Sequence, residues 1–180
     1  MTYWLWLTTS LTLSVAAEHL ARLHGLELPF TLATAFYFAL LGPTWLRTAV
    51  PLMLATAWLD SLSTSTLPQA SCVLLLVFPL ADFWRRFGDV RSLPMLVFPG
   101  AAVGLLAGLC RLLNAIVSGH RLAGGPLWQA CCLLVACTVL VPALAFLLEL
   151  PARRLAIRRL EKINFDYSDD YYFHDGDTYD

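Results

Sequence analysis

Six apolar stretches, bounded by charges, prolines or glycines, dominate the chain: Tyr3 to Leu20, Pro29 to Leu41, Thr44 to Asp60, Gln69 to Trp84, Leu93 to Ser118 and Leu127 to Leu150. A helix needs roughly 20 residues to cross a hydrocarbon core of about 30 Å, and about 17 to 25 are tolerated. All but the second stretch approach or meet that length. The second is short, opened by "ELP" and closed by "GPT", the proline-in, glycine-out punctuation of a helix. Composition agrees, since 58% of the 180 residues are hydrophobic and 14% charged, against roughly 25% charged in soluble domains. The expected fold class is therefore all-α, a polytopic membrane protein with six transmembrane helices over residues 1–150. A basic juxtamembrane segment, 151–163, and an acidic tail, 164–180, follow.

Prolines 51, 79, 99 and 142 fall inside four of the stretches, which membrane helices tolerate because neighbours satisfy the freed carbonyls. "SVA" at Ser14 to Ala16 resembles a cleavage site, but no basic residue precedes it, so the first stretch reads as a retained anchor. With both termini cytoplasmic, the inside carries Arg47, Arg85, Arg86, Arg91, Arg153, Arg154, Arg158, Arg159 and Lys162. The outside then carries Arg22 and Arg121. Nine against two follows the positive-inside rule and an even number of crossings.

The net charge of -1 conceals an asymmetry, because six of the 13 acidic residues lie between Asp166 and Asp180. That Tyr-rich tail holds too few aliphatic residues for a core and reads as disordered. Its "DGD" lacks the ligand spacing of a calcium loop. The five cysteines, all within apolar stretches and without C-x-x-C pairing, read as small buried hydrophobes. No catalytic motif is present, and no cofactor, metal or nucleic-acid partner is expected.

Charges within the stretches mark candidate sites, since ionisable groups in a bilayer normally face other helices or a wet cavity. Asp60 ends the third stretch. It is read as an interfacial carboxylate taking N–H groups of the following turn, as a packing or partner contact, or as a ligand contact. Arg111 and Asn114 share one face of the fifth stretch. Arg111 either snorkels or pairs with a carboxylate at a similar level, Asp60 or Glu18. Asp82 is placed to pair with Arg85 or Arg86, and Glu18 and Glu149 read as interfacial. Gly100, Gly104 and Gly108 form a smooth groove for close helix packing, within the chain or with another protein. "PARRLAIRRLEK" supplies arginines that hold the inner leaflet, each worth about 1 kcal/mol there, or dock a cytoplasmic partner.

From Leu28 to Phe78 the chain resembles the bacterial rod shape-determining protein family MreD. The matching features are "LPFTLATAFYFALLG", the Gly42-Pro43 turn, and "ATAWLDSLSTSTLPQASCVLLLVF" with its aspartate-terminated span; "FWRRFGDVR" follows as a basic loop. The chain departs from that pattern at Phe30, where the family has an acidic residue, at Leu52 and Thr56, where it has glycines, and at Leu67-Pro68 in place of Leu-Gly. The resemblance implies a non-catalytic inner-membrane component of the cell-elongation machinery. Such a protein binds single-span MreC and couples the actin-like filament MreB to peptidoglycan synthesis by RodA and its transpeptidase partner. Membrane lipids would contact the inner-face arginines. The alternative is the substrate-binding S component of an energy-coupling-factor vitamin transporter, which has a similar six-helix layout. Ala17-x-x-x-Ala21 suits its first helix, and Asp60, Arg111, Asn114 and Trp128 are the evident set for its pocket.

Overall fold

The computed structural model describes residues 2–41, 45–63, 67–87, 93–119 and 124–154. Gly42-Pro43, Arg91, Arg121, Arg158, Arg159 and the acidic tail lie outside the described residues, as do the side chains of Arg47, Arg153 and Arg154. The described residues form six α-helices and no strand: α1 (Thr2–Leu23), α2 (Phe30–Leu41), α3 (Trp45–Ser61), α4 (Gln69–Phe87), α5 (Val97–Val117) and α6 (Gly125–Arg154). A single 3₁₀ turn, Leu93–Leu96, leads into α5. Pro51, Pro79 and Pro142 sit inside helices as expected. Pro99 falls in the first turn of α5, because that helix begins later than the apolar stretch does.

Two helical spans, Pro94–Val117 and Gly125–Ala152, are long and apolar enough to cross a membrane. The short second stretch has a different role. Every residue of α2 from Thr31 to Leu41 is buried, which fits a helix apolar on all sides. Its 12 residues extend only about 18 Å at 1.5 Å per residue. It is the centre of the bundle, touching all five other helices, with Phe36, Tyr37 and Phe38 its largest enclosed side chains.

The pairing of residues fixes how the helices run. Ser14 and Thr34 hydroxyls bond at 2.7 Å, joining α1 to an antiparallel α2. The Arg85 guanidinium of α4 donates to the Ala39 carbonyl of α2 at 3.1 Å, so those two run parallel. That bond also satisfies an acceptor in the last turn of α2, where carbonyls lack intrahelical partners. Each turn has a local cause as well. At the end of α1, Leu26 N–H bonds Ala21 O and Gly25 N–H bonds Arg22 O, both at 2.9 Å. Gly25 adopts φ +75° between them, the left-handed residue that closes a Schellman cap.

The glycine groove is occupied from within. A Cβ at Gly104 would lie 2.7 Å from Leu134 Cα and 2.9 Å from Cys137 Cβ; one at Gly100 would lie 2.8 Å from Cys137 O, and one at Gly108 3.2 Å from Ala130 O. α5 therefore lies backbone to backbone on antiparallel α6, and the groove is closed to a partner helix from another protein. The cysteines depart from expectation too. Cys137 alone is fully enclosed; Cys72, Cys131 and Cys132 are exposed on the bundle's outside and Cys110 is intermediate. These helices carry apolar residues on both faces, so an apolar stretch did not imply an inward-facing thiol.

Exposed large apolar side chains recur on every long helix, including Leu5 and Leu13 on α1, Leu54 and Trp58 on α3, Leu75 and Leu76 on α4, Leu109 on α5 and Val139 on α6. Hydroxyls on α1 are neutralised locally: Thr9 and Thr12 donate to the carbonyls four residues earlier at 2.7 and 2.8 Å. That bond leaves the helix surface effectively apolar.

Candidate functional site: a polar cavity at one end of the bundle

Where α1, α3 and α5 end and α2, α4 and α6 begin, the helices splay around a cavity of about 590 Å³. Five charged side chains line it: Glu18, Arg22, Glu27, Asp60 and Arg111. Its size lies within the roughly 300–1,000 Å³ of small-molecule sites. Three helix N-termini reach this end, and each brings unpaired N–H groups and a partial positive charge of about +0.5.

Two carboxylates answer two of those termini. Glu18, from the last turns of α1, is 3% exposed. It accepts the Thr31 N–H of α2 at 2.9 Å and the Arg22 guanidinium at 2.7 Å. It is thus a buried cap on the central helix, which corrects its reading as a simple interfacial residue. Asp60 accepts the Ala70 and Ser71 N–H groups of α4 at 3.0 and 2.9 Å, one on each carboxylate oxygen. It does capture backbone N–H groups, but those of the next helix rather than of the adjoining turn. In the turn that follows, Ser63 Oγ donates to the Asp60 carbonyl.

Arg111 does pair with a carboxylate, but not with Asp60 or Glu18. It forms an ion pair with Glu27, from the connection between α1 and α2, and also donates to Gln129 Oε1 on α6 at 3.2 and 3.3 Å. Both ion-pair partners are only about one-third exposed. Asn114 Oδ1, on the same face of α5, accepts the Leu67 N–H at 3.3 Å. Gln69 adds an amide nitrogen that is shielded from solvent and has no hydrogen-bond partner among the described residues.

Of the four residues the transporter alternative would need, Asp60, Arg111 and Asn114 line this cavity, whereas Trp128 is 71% exposed and does not. Glu27, Gln69 and Gln129 were missed. Each sits beside a segment boundary, so only the folded ends of three helices bring them together.

The opposite end holds another polar set. Arg86 pairs with Asp82 at 3.0 Å, with both groups about half exposed, a contact worth roughly 0.3–0.5 kcal/mol. Arg85 is drawn inward onto α2 and is committed to the fold. Glu149 is also buried, at 5% exposure, and accepts a long 3.5 Å bond from Tyr37 Oη. That corrects its interfacial reading: α6 continues past Glu149 to Arg154 and carries the carboxylate against the end of α2.

Fold and site together define an all-helical protein with two helices suited to crossing a membrane and a charged cavity at one end. No protein-family model, curated protein or solved structure matches the chain.

Proposed function

We propose that the chain is a multi-pass inner-membrane scaffold of the MreD type. In this reading it is non-catalytic, has both termini in the cytoplasm, and couples MreC and the MreB filament to peptidoglycan synthesis by RodA and its transpeptidase partner. The observation that carries the reading is the fold of the family-like stretch. Leu28-Pro29 opens α2, buried from Thr31 to Leu41, and Asp60 at the end of α3 clamps the start of α4. Residues that bear the resemblance thus open the central helix and hold the start of α4.

Membrane embedding is supported by the shell of exposed Leu, Val, Phe and Trp on every long helix, since soluble monomers seldom expose contiguous apolar patches beyond a few hundred Å². All six helices then cross, α2 sheltered among the other five and returning the chain to the inner side. The cavity opens on the outer side, and Arg85 and Arg86 lie at the inner end. Because α6 fills the glycine groove, a partner helix must use another face.

A substrate-binding component of a vitamin transporter is the second reading, favoured by the convergence of Asp60, Arg111 and Asn114 on one cavity. Affinity isolation from membranes separates the two. Co-isolation of MreC, with cell rounding on depletion, is expected; recovery with an ATPase module or a retained vitamin overturns the scaffold.

A further inference from the structure

We propose that the cavity between the ends of α1, α3 and α5 is a binding site for a small zwitterion, a molecule with an anionic oxygen group and an ammonium a few bonds apart. The site is independent of whether the chain acts as scaffold or transporter component, because it rests on the cavity's own charges.

Three carboxylates and two guanidiniums line the space, but most are committed. Glu18 is held by Thr31 N–H and Arg22, and Asp60 by two N–H groups of α4. Displacing either would uncap a helix. Glu27 and Arg111 differ, because neither holds a helix terminus in the bonds described; they hold one another at the cavity wall, from a connecting segment and from α5, with Gln129 of α6 also on Arg111.

The charge balance selects the ligand. A simple anion on the remaining Arg111 N–H groups would set two negative groups side by side on one guanidinium, and a simple cation on Glu27 would draw it from Arg111 in a partly desolvated site. Both outcomes are penalised, because an uncompensated charge removed from water is costly. A zwitterion replaces each half of the ion pair by an equivalent: its anionic group takes Arg111, and its ammonium takes Glu27. An α-amino acid and a phosphoethanolamine headgroup share this chemistry.

The test uses the full-length protein in dodecyl maltoside, titrated by calorimetry with phosphoethanolamine, L-alanine, inorganic phosphate and ethanolamine. At least one zwitterion is expected to bind tenfold or more tightly than phosphate or ethanolamine alone. Phosphoethanolamine without alanine assigns a lipid headgroup, and the reverse assigns a free amino acid. Glu27→Gln should abolish the preference over phosphate, and Arg111→Gln the preference over ethanolamine. Should Arg111→Gln fail to fold, Glu27→Gln decides alone. Absence of binding by both zwitterions at millimolar concentration, or an unchanged preference in Glu27→Gln, overturns the proposal.

Discussion

Adding one methyl group at each glycine of α5 should produce a graded loss of stability that tracks distance to α6. At Gly104 the new Cβ would sit 2.7 Å from Leu134 Cα, against an ordinary contact of 3.4 Å or more. The obstacle is backbone, so the helices must part by about 0.7 Å, a gap that forfeits a quarter to a half of the local dispersion attraction. Overpacking of this kind costs about 1–3 kcal/mol, and Ala recovers up to about 1 kcal/mol over Gly through helix propensity. Gly104→Ala should therefore lose about 1–2 kcal/mol, or about 3–6 °C in Tm for a chain of this size. Gly100→Ala, 2.8 Å from the Cys137 carbonyl, should lose slightly less. At Gly108 the nearest atom is 3.2 Å away, so the neighbour need shift only a few tenths of an ångström. Gly108→Ala should lie within about 0.5 kcal/mol of the parent, since the helix-propensity gain offsets the strain. Thermal unfolding in maltoside, followed by far-UV circular dichroism, gives the three values. Equal Tm values for all three variants, with association lost instead, would refute the assignment of the groove to an internal seam.

Removing the Asp60 clamp should cost about 2 kcal/mol in Asp60→Ala and roughly half that in Asp60→Asn, which keeps one acceptor; the same unfolding assay measures both. Glu18→Ala leaves the Thr31 N–H at the start of α2 without its carboxylate acceptor in a buried site and should cost about 2 kcal/mol. Tyr37→Phe gives up only a 3.5 Å bond and should shift stability by less than about 0.5 kcal/mol. Val139→Arg discriminates the membrane reading. Val139 is exposed midway along α6, where arginine would cost about 2.5–3.5 kcal/mol on insertion into lipid. At a water-facing position it would change stability by no more than about 0.5 kcal/mol, so an unaltered membrane-insertion yield would contradict that reading.

Helical class and the position of most helices were legible in sequence because apolar run length and proline–glycine punctuation are local signals. α2 shows how far this goes: Pro29 and the apolar run marked both its ends, and its shortness was visible. Its central, fully buried place was not, since burial on all sides depends on five other helices. The site was legible in part. Asp60, Arg111 and Asn114 stood out as polar groups in apolar stretches, but their partners did not. Glu27 lies in a connection where a carboxylate is unremarkable, and 84 residues separate it from Arg111.

Sequence alone determined that this chain must be helical, must present apolar surface over most of its length, and must gather its few charges near helix ends. Chain chemistry decides these properties, because a long apolar run satisfies its backbone hydrogen bonds internally and rejects charge. Tertiary structure decided which charge meets which. Glu18 caps α2, Asp60 caps α4, and Arg111 is left to Glu27. Carboxylates at one level of a bundle are chemically interchangeable, and only the splay of six helix ends sets the distances that assign each to its partner.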